Sequence, residues 1–294
     1  MPNTQDQSSS ENKIFALFKG PSGSGKSVAG LSFPNLYVFD YDFKMPAIAL
    51  KHFPKKSIDY DTFIDTNQVS DLMTAWLKCP DCGYDKQCEK QVDSITKRPK
   101  HCKSSCPYES LLHDSLTNMQ NLVMNTIAET KNESIPVIMK RKGQSGKKIE
   151  FQDFDYYNAE MRFTEWLVTY NKILLGREGN PKNIIFTAHV METEQSNIMT
   201  GQIRKTRSIV TAGKKISAWI QTPFDEVYMF GHNFAGGTSI EDPTRTERKI
   251  FTSPEGEDDA KTAYRLAPNI DFTNNSFYDL LQAQINGQKF MASL

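Results

Sequence analysis

The sequence predicts an α/β protein with a mostly parallel central sheet flanked by helices. Three features carry that prediction. Short apolar runs that read as buried strands recur at "IFALF", "LYVF", "SLLHDS" and "NIIFTAHV". Segments of helical spacing separate them, and strands alternating with helices join in parallel. The length of 294 residues, 38% of them hydrophobic, suits one large α/β domain or two small ones.

Residues 1–12 are polar and are expected to form a disordered tail, with the main domain over 13–283 and a short tail over 284–294. The first strand, 14–18, runs into "GPSGSGKS" at 20–27, and a helix is expected from Ser27 onward. The spacing from Gly20 to Gly25-Lys26-Ser27 fits a phosphate-binding loop, and the flanking strand and helix are the context that motif requires. The chemistry explains the pattern. Glycines let backbone N–H groups turn inward around a triphosphate, and the following helix adds the positive end of its dipole. Gly20, Pro21, Ser22, Gly23, Ser24, Gly25, Lys26, Ser27 and Val28 form the candidate nucleotide site. Lys26 is placed to reach the β- and γ-phosphates, and the Ser27 hydroxyl to ligate Mg2+.

A second strand, "LYVF", ends in Asp40 and Asp42. Alternation along a strand points both carboxylates one way, and Asp42 is the preferred candidate to polarise the attacking water. "QVSDLMTAWLK" reads as a helix with Leu72, Ala75 and Trp76 on one face. "SLLHDS" is the next strand, and Asp114 at its end suits the carboxylate beside Mg2+. His113 is a polar intruder there and reads as a hydrogen-bonded core histidine. Residues 131–155 are polar and are expected to form a loop or hairpin. Helical spacing then places Phe163, Trp166, Leu167, Tyr170, Ile173 and Leu174 on one helix. "NIIFTAHV" follows as a buried strand whose end, Thr187 to His189, offers a polar side chain to sense the γ-phosphate. A long polar stretch, 190–222, is expected to be a basic loop before two more strands, "DEVYMFG" and "RKIFTS".

Taken in order, "GPSGSGKS", "VFDYD", "LLHDS" and "IIFTAH" resemble the RecA-like P-loop ATPase core. The set is most similar to the short phage-encoded single-strand annealing and recombination ATPases. The resemblance runs from residue 14 to about 267, with "DSLTNM" and "GKKISAWIQTPFDEVYMF" in the expected order. It implies ATP and Mg2+ as cofactors and hydrolysis as the activity. By position it puts Asp42 where the family carries its catalytic carboxylate, usually a glutamate, and His189 where it carries a polar sensor. It also implies a homo-oligomer, a ring or filament with nucleotide at the subunit interface. Lys261 and Arg265 are then candidates to act in trans.

Two basic stretches suggest a polyanionic partner. Arg204, Lys205, Arg207, Lys214 and Lys215 fall between Gln202 and Ile220 with no acidic residue among them. Clustered cations neutralise phosphates and release counterions. Trp219 can add a stacking contact. The resemblance implies that this loop touches single-stranded DNA. Lys140, Arg141, Lys142, Lys147 and Lys148 form the second cluster. With 35 basic and 35 acidic residues, any such surface is local.

All five cysteines lie between positions 79 and 106. Cys79-x2-Cys82 and Cys102-x3-Cys106 fit a tetrahedral, zinc-ribbon-like site within an insertion at 79–107, with Cys88 and His101 as alternative ligands. Four thiolates leave no open position, so such a zinc is structural. No run approaches the roughly 18 apolar residues of a membrane span, and the first residues lack an apolar signal core. A cytoplasmic location is the default, that of the host if the protein is phage-encoded. The reading is an ATPase acting on single-stranded DNA, with a single-strand-binding protein as a further partner. Two alternatives stay open: another P-loop enzyme, such as a helicase-like motor or small-molecule kinase, and a non-hydrolysing nucleotide-gated adaptor whose zinc insertion recruits a partner.

Overall fold

The strand that opens the fold, β1 (Ile14–Gly20), is buried along its whole length. Its alternation feeds two cores. Phe15 and Leu17 enter one, while Ile14, Ala16 and Phe18 enter the other, as the period of two requires. The computed structural model describes residues 13–81, 83, 103–130, 153–176, 181–196, 203–211, 219–235, 245–253, 260–264, 266–273 and 275–286.

The other strands are β2 (Leu36–Asp40), β3 (Asp59–Thr62), β4 (Ser110–Asp114), β5 (Asn183–Ser196), β6 (Ile203–Ile209), β7 (Glu226–Ala235), β8 (Arg245–Phe251) and β9 (Asn269–Asp271). They stand in the order β3-β2-β4-β5-β1-β7-β8-β9, with β6 paired to β5. From β3 through β7 every neighbouring pair is parallel. The pairs β7–β8, β8–β9 and β5–β6 are antiparallel. The mostly parallel α/β sheet is therefore present, with an antiparallel edge.

The helices are α1 (Lys26–Leu31), α2 (Met45–His52), α3 (Thr66–Leu77), α4 (Leu116–Thr130), α5 (Asp153–Leu175) and α6 (Phe277–Ile285). Asp65 starts α3 by accepting the N–H groups of Asn67 and Gln68, which would otherwise lack partners. The buried stripe of α3 is Val69, Met73, Trp76 and Leu77. Ala75 is exposed rather than on that face. In α5, Leu167 and Leu174 are buried, but Ile173 faces solvent at 42% exposure. The expected loop over 131–155 gives way to α5 from Asp153, and residues 131–152 lie outside the described set.

Two features depart from the sequence reading. A C-terminal helix, α6, begins under a Ser276 cap, inserts Phe277, Leu280 and Leu281 into the core and runs past residue 283. The polar stretch after His189 is not a simple loop: β5 continues to Ser196 and returns as β6 in an antiparallel hairpin. Both hairpin strands carry mostly polar residues, so the apolar alternation that marks a half-buried strand is missing from them.

His113 is a core histidine. It sits between Phe39 and Phe186, with ring centroids 4.2 Å away on each side. The three residues are direct neighbours across β2, β4 and β5. Its nitrogens meet the Tyr41 hydroxyl at 2.8 Å and Asn171 Oδ1 at 3.2 Å. Burial pushes its pKa down to about 3, so it is neutral.

Candidate active site

Parallel register brings the ends of four strands to one edge. Gly20 is level with His189 across β1 and β5, and Asp40 with Asp114 across β2 and β4. Crevices at the carboxyl ends of such sheets are where ligands bind. A cleft of about 290 Å3 lies here, lined by Gly25, Lys26, Ser27, Asp42, Asp114 and His189 among others.

The loop from Gly20 to Gly25 depends on its glycines. A Cβ on Gly20 would meet the Phe230 carbonyl oxygen at 2.5 Å. Gly25 has φ +93°, in the left-handed region that side chains disfavour. The Lys26 ammonium folds back on the loop, donating to the carbonyls of Gly20 at 2.9 Å and Pro21 at 2.8 Å. Burial lowers its pKa to about 8, against the raising effect of Asp114 and Asp42. Phosphate oxygens at the same place would supply stronger, charge-assisted partners.

Asp114 is buried and doubly anchored. Ser27 donates its hydroxyl to Oδ2 at 2.8 Å, and Thr187 donates to Oδ1. Burial raises the carboxyl pKa, while the Thr187 and Ser27 bonds and Lys26 oppose that shift. The Ser27 hydroxyl keeps lone pairs for a cation, so Ser27 and Asp114 are the residues fitted to hold Mg2+.

The two aspartates at and just beyond the end of β2 have different jobs. The Asp40 carboxylate accepts the backbone N–H groups of Asp42, Lys44 and Met45. It closes a turn in which Phe43 carries φ +56°, and it starts α2. Asp42, beyond the strand, is the one in the cleft. Its Oδ1 accepts from Ser115 at 3.1 Å and from Asn118, and its Oδ2 faces His189 Nε2 at 3.9 Å and Lys44 Nζ at 3.6 Å. Burial pushes this carboxyl up, but the His189 and Asn118 contacts and the Lys44 charge outweigh it and hold the pKa at about 2. The expectation that both carboxylates point one way therefore fails, because Asp40 is consumed by the turn.

His189 joins the two halves of the cleft. One ring nitrogen lies 3.5 Å from Lys26 Nζ and the other faces Asp42. Its backbone N–H donates to Thr117 at 2.9 Å. The sequence reading did not find Asn118, Lys44 or Arg248. Asn118 was legible as the polar side chain one turn after Asp114. Arg248 reaches the cleft from β8 and had no local signal.

The other candidates that are described do not join this cluster. Arg204, Lys205 and Arg207 lie on β6 rather than in a loop. Register puts Lys205 opposite Glu194 and Arg207 opposite Glu192, and Arg207 Nε contacts Glu192 Oε2 at 3.3 Å. Lys214, Lys215, Arg265 and the cluster at 140–148 lie outside the described residues. Lys261 donates to the Thr222 carbonyl at 3.1 Å and is exposed. Of the cysteines, Cys79 and Cys106 are described and buried, and the Cys106 thiol lies 3.9 Å from the Tyr108 carbonyl oxygen. Cys82, Cys88, His101 and Cys102 lie outside the described residues, and no metal-binding group of side chains is found among the described ones. Among the described residues, no helix is long and apolar enough to cross a membrane.

A family model described as an AAA domain matches residues 12–264 of the chain. Among solved structures, the flagellar accessory protein FlaH from Methanocaldococcus jannaschii is similar to it. The two share 13% identity over 92% of this chain and 90% of that one, with a TM-score of 0.36. No curated protein matches the chain.

Proposed function

The chain belongs to the AAA domain family of P-loop ATPases, and from that premise we propose that it hydrolyses Mg–ATP in a RecA-like site and acts on single-stranded DNA. The observation that supports this most is the convergence of Lys26, Ser27, Asp42, Asp114 and His189 on one cleft. In this reading Lys26 turns from the loop carbonyls to the β/γ-phosphates. Ser27 and Asp114 would hold Mg2+, which would supply positive charge to the phosphates. Asp42 accepts a hydrogen bond from the attacking water and orients it. The low basicity of Asp42 suits an acceptor that stays ionised while the water's proton passes to phosphate oxygen. His189, touching both Lys26 and Asp42, reports the γ-phosphate to the β5–β6 hairpin that begins just beyond it.

The DNA role rests on that hairpin and on residues 140–148, and a phage recombination or annealing setting rests on the sequence resemblance. ATP turnover with and without single-stranded DNA tests it. Stimulation is expected; a DNA-independent rate would leave an ATPase and remove the DNA partner.

The cysteine segment is read as a structural zinc knob. Ser105 ties its exit to the last turn of α3, through bonds to the Trp76 and Ala75 carbonyls, and Cys79 opens it three residues after Trp76. Cys82 and Cys102 would complete the set with Cys79 and Cys106. Metal analysis of the purified protein should find about one zinc per chain, as a closed four-ligand site requires, and none would remove the claim.

A further inference from the structure

Arg248 lies on the flank of the cleft opposite the groups already assigned. Strand order puts β7 and β8 on one side of β1, and β5, β4 and β2, which lead to His189, Asp114 and Asp42, on the other. Its backbone is fixed on both sides: the N–H donates to Thr273 Oγ1 at 2.9 Å, and the carbonyl accepts from Phe272 at 3.2 Å. The side chain runs over the phosphate loop. A Cβ on Gly25 would lie 2.9 Å from Arg248 Cδ and 3.3 Å from Nε, so the missing side chain at Gly25 is what lets the guanidinium in.

Arg248 Nε is sealed from solvent and has no hydrogen-bond partner among the described residues. No carboxylate of the described residues forms an ion pair with the guanidinium. Its charge acts on another base of the cleft, His52, whose pKa is lowered by burial and then by the Arg248 and Lys51 charges. A buried donor without a partner and a cation among cations are both costly. An anion in the cleft relieves the cost to the cation.

The rest of the loop indicates which part of the nucleotide that is. Lys26 and Ser27 are committed towards Asp114, Asp42 and His189, the metal and γ-phosphate end. Arg248 lines the same cleft but lies against Gly25, on the N-terminal side of Lys26 in the loop. We propose that Arg248 donates to the α-phosphate of the bound nucleotide, so that it sets the affinity for ATP and ADP alike and takes no part in γ-phosphate cleavage. This rests on the ATPase reading of the cleft.

The test uses the full chain with Mg2+, and equilibrium titration with ATP and with ADP. Arg248→Met keeps the aliphatic stem beside Gly25 and removes the donors; Arg248→Ala removes both. Either is expected to weaken ATP and ADP equally, by about tenfold to a hundredfold, the range of a charged hydrogen bond. Steady-state turnover should show the loss in KM, with kcat at saturating ATP kept within about threefold. Unchanged affinity for both nucleotides would overturn the proposal, and so would a fall in kcat with ADP affinity intact, which would put the guanidinium at the γ-phosphate. Lys26→Ala separates this from the reading beneath it. Loss of nucleotide in Lys26→Ala but not in Arg248→Met rejects only the Arg248 role. Normal binding in both rejects the site.

Discussion

Strand β5 serves two regions that hold charge in opposite ways. Up to His189 it runs buried and parallel beside β1 and β4, and its polar side chains meet partners fixed by register, as Thr187 meets Asp114. Beyond His189 it pairs antiparallel with β6, where acidic and basic residues face one another across the ladder. In the cleft, removing any partner leaves a buried charge or donor exposed to a low-dielectric surrounding, so each residue matters strongly. In the hairpin, the Glu192–Arg207 pair is half exposed at 39% and 42%, and such pairs contribute little. A count of cations along β6 therefore overstates its field, because Glu192 of the preceding strand pairs with Arg207.

The largest effect should come from the cleft. Lys26→Ala is expected to lower ATP affinity or turnover by about 10²- to 10³-fold, the scale of losing one preorganised donor to a transferring group. Binding and turnover assays check this, and hairpin substitutions should not reproduce it.

His113→Ala should separate the core beneath the cleft from the cleft itself. It leaves a cavity between Phe39 and Phe186 and strips Tyr41 and Asn171 of a partner, costing about 3 kcal/mol of stability. Nucleotide affinity at a permissive temperature should be retained. The pH dependence has a definite sign. His113 titrates at about 3 in the fold and at 6.5 when unfolded, so the unfolded chain binds the extra proton between these values. Stability in denaturant titrations should fall as pH drops below about 6.5 in the wild type, and this part of the slope should vanish in the variant.

Raising pH gives a smaller change. With Lys26 at about 8 in the nucleotide-free protein, one pH unit above that leaves about a tenth of the ammonium charged. ATP affinity should fall by about fivefold between pH 8 and 9 in direct titrations. A flat profile would mean that Lys26 is not the cation at the phosphates.

The smallest expected effects lie in the hairpin. Replacing Arg204, Lys205 and Arg207 together should shrink the salt slope of single-stranded DNA binding by roughly 0.7 for each phosphate that is no longer neutralised. Glu192→Gln should strengthen DNA binding, since it unmasks Arg207. Unchanged affinity and slope in both sets would make the hairpin a solvated surface.

The legibility of the molecule follows the same division. The phosphate loop was readable because its geometry is local: glycines, Lys26 and Ser27 act within one turn between a strand and a helix. Asp114 and His189 were readable because parallel strands bring their ends to one edge. The choice between Asp40 and Asp42 needed the turn itself, since only the structure shows Asp40 occupied by three backbone N–H groups. Arg248 was not readable, because its meaning comes from β8 returning beside Gly25. The β6 strand and α6 were missed for different reasons. One carries polar residues where a strand signal needs apolar alternation, and the other is a short helix marked only by its Ser276 cap and three buried apolar residues.

The central claim is that this cleft hydrolyses ATP and that Asp42 orients the water. Single-turnover hydrolysis of Mg–ATP, with bound nucleotide measured in parallel, tests it directly on the wild type, Asp42→Asn and Asp40→Asn. Asp42→Asn should bind ATP nearly as well as wild type and cleave it about a hundredfold more slowly or worse. Asp40→Asn should act mainly through a less stable fold. Wild-type protein that binds ATP without cleaving it would contradict the claim, as would an Asp42→Asn variant that cleaves at the wild-type rate.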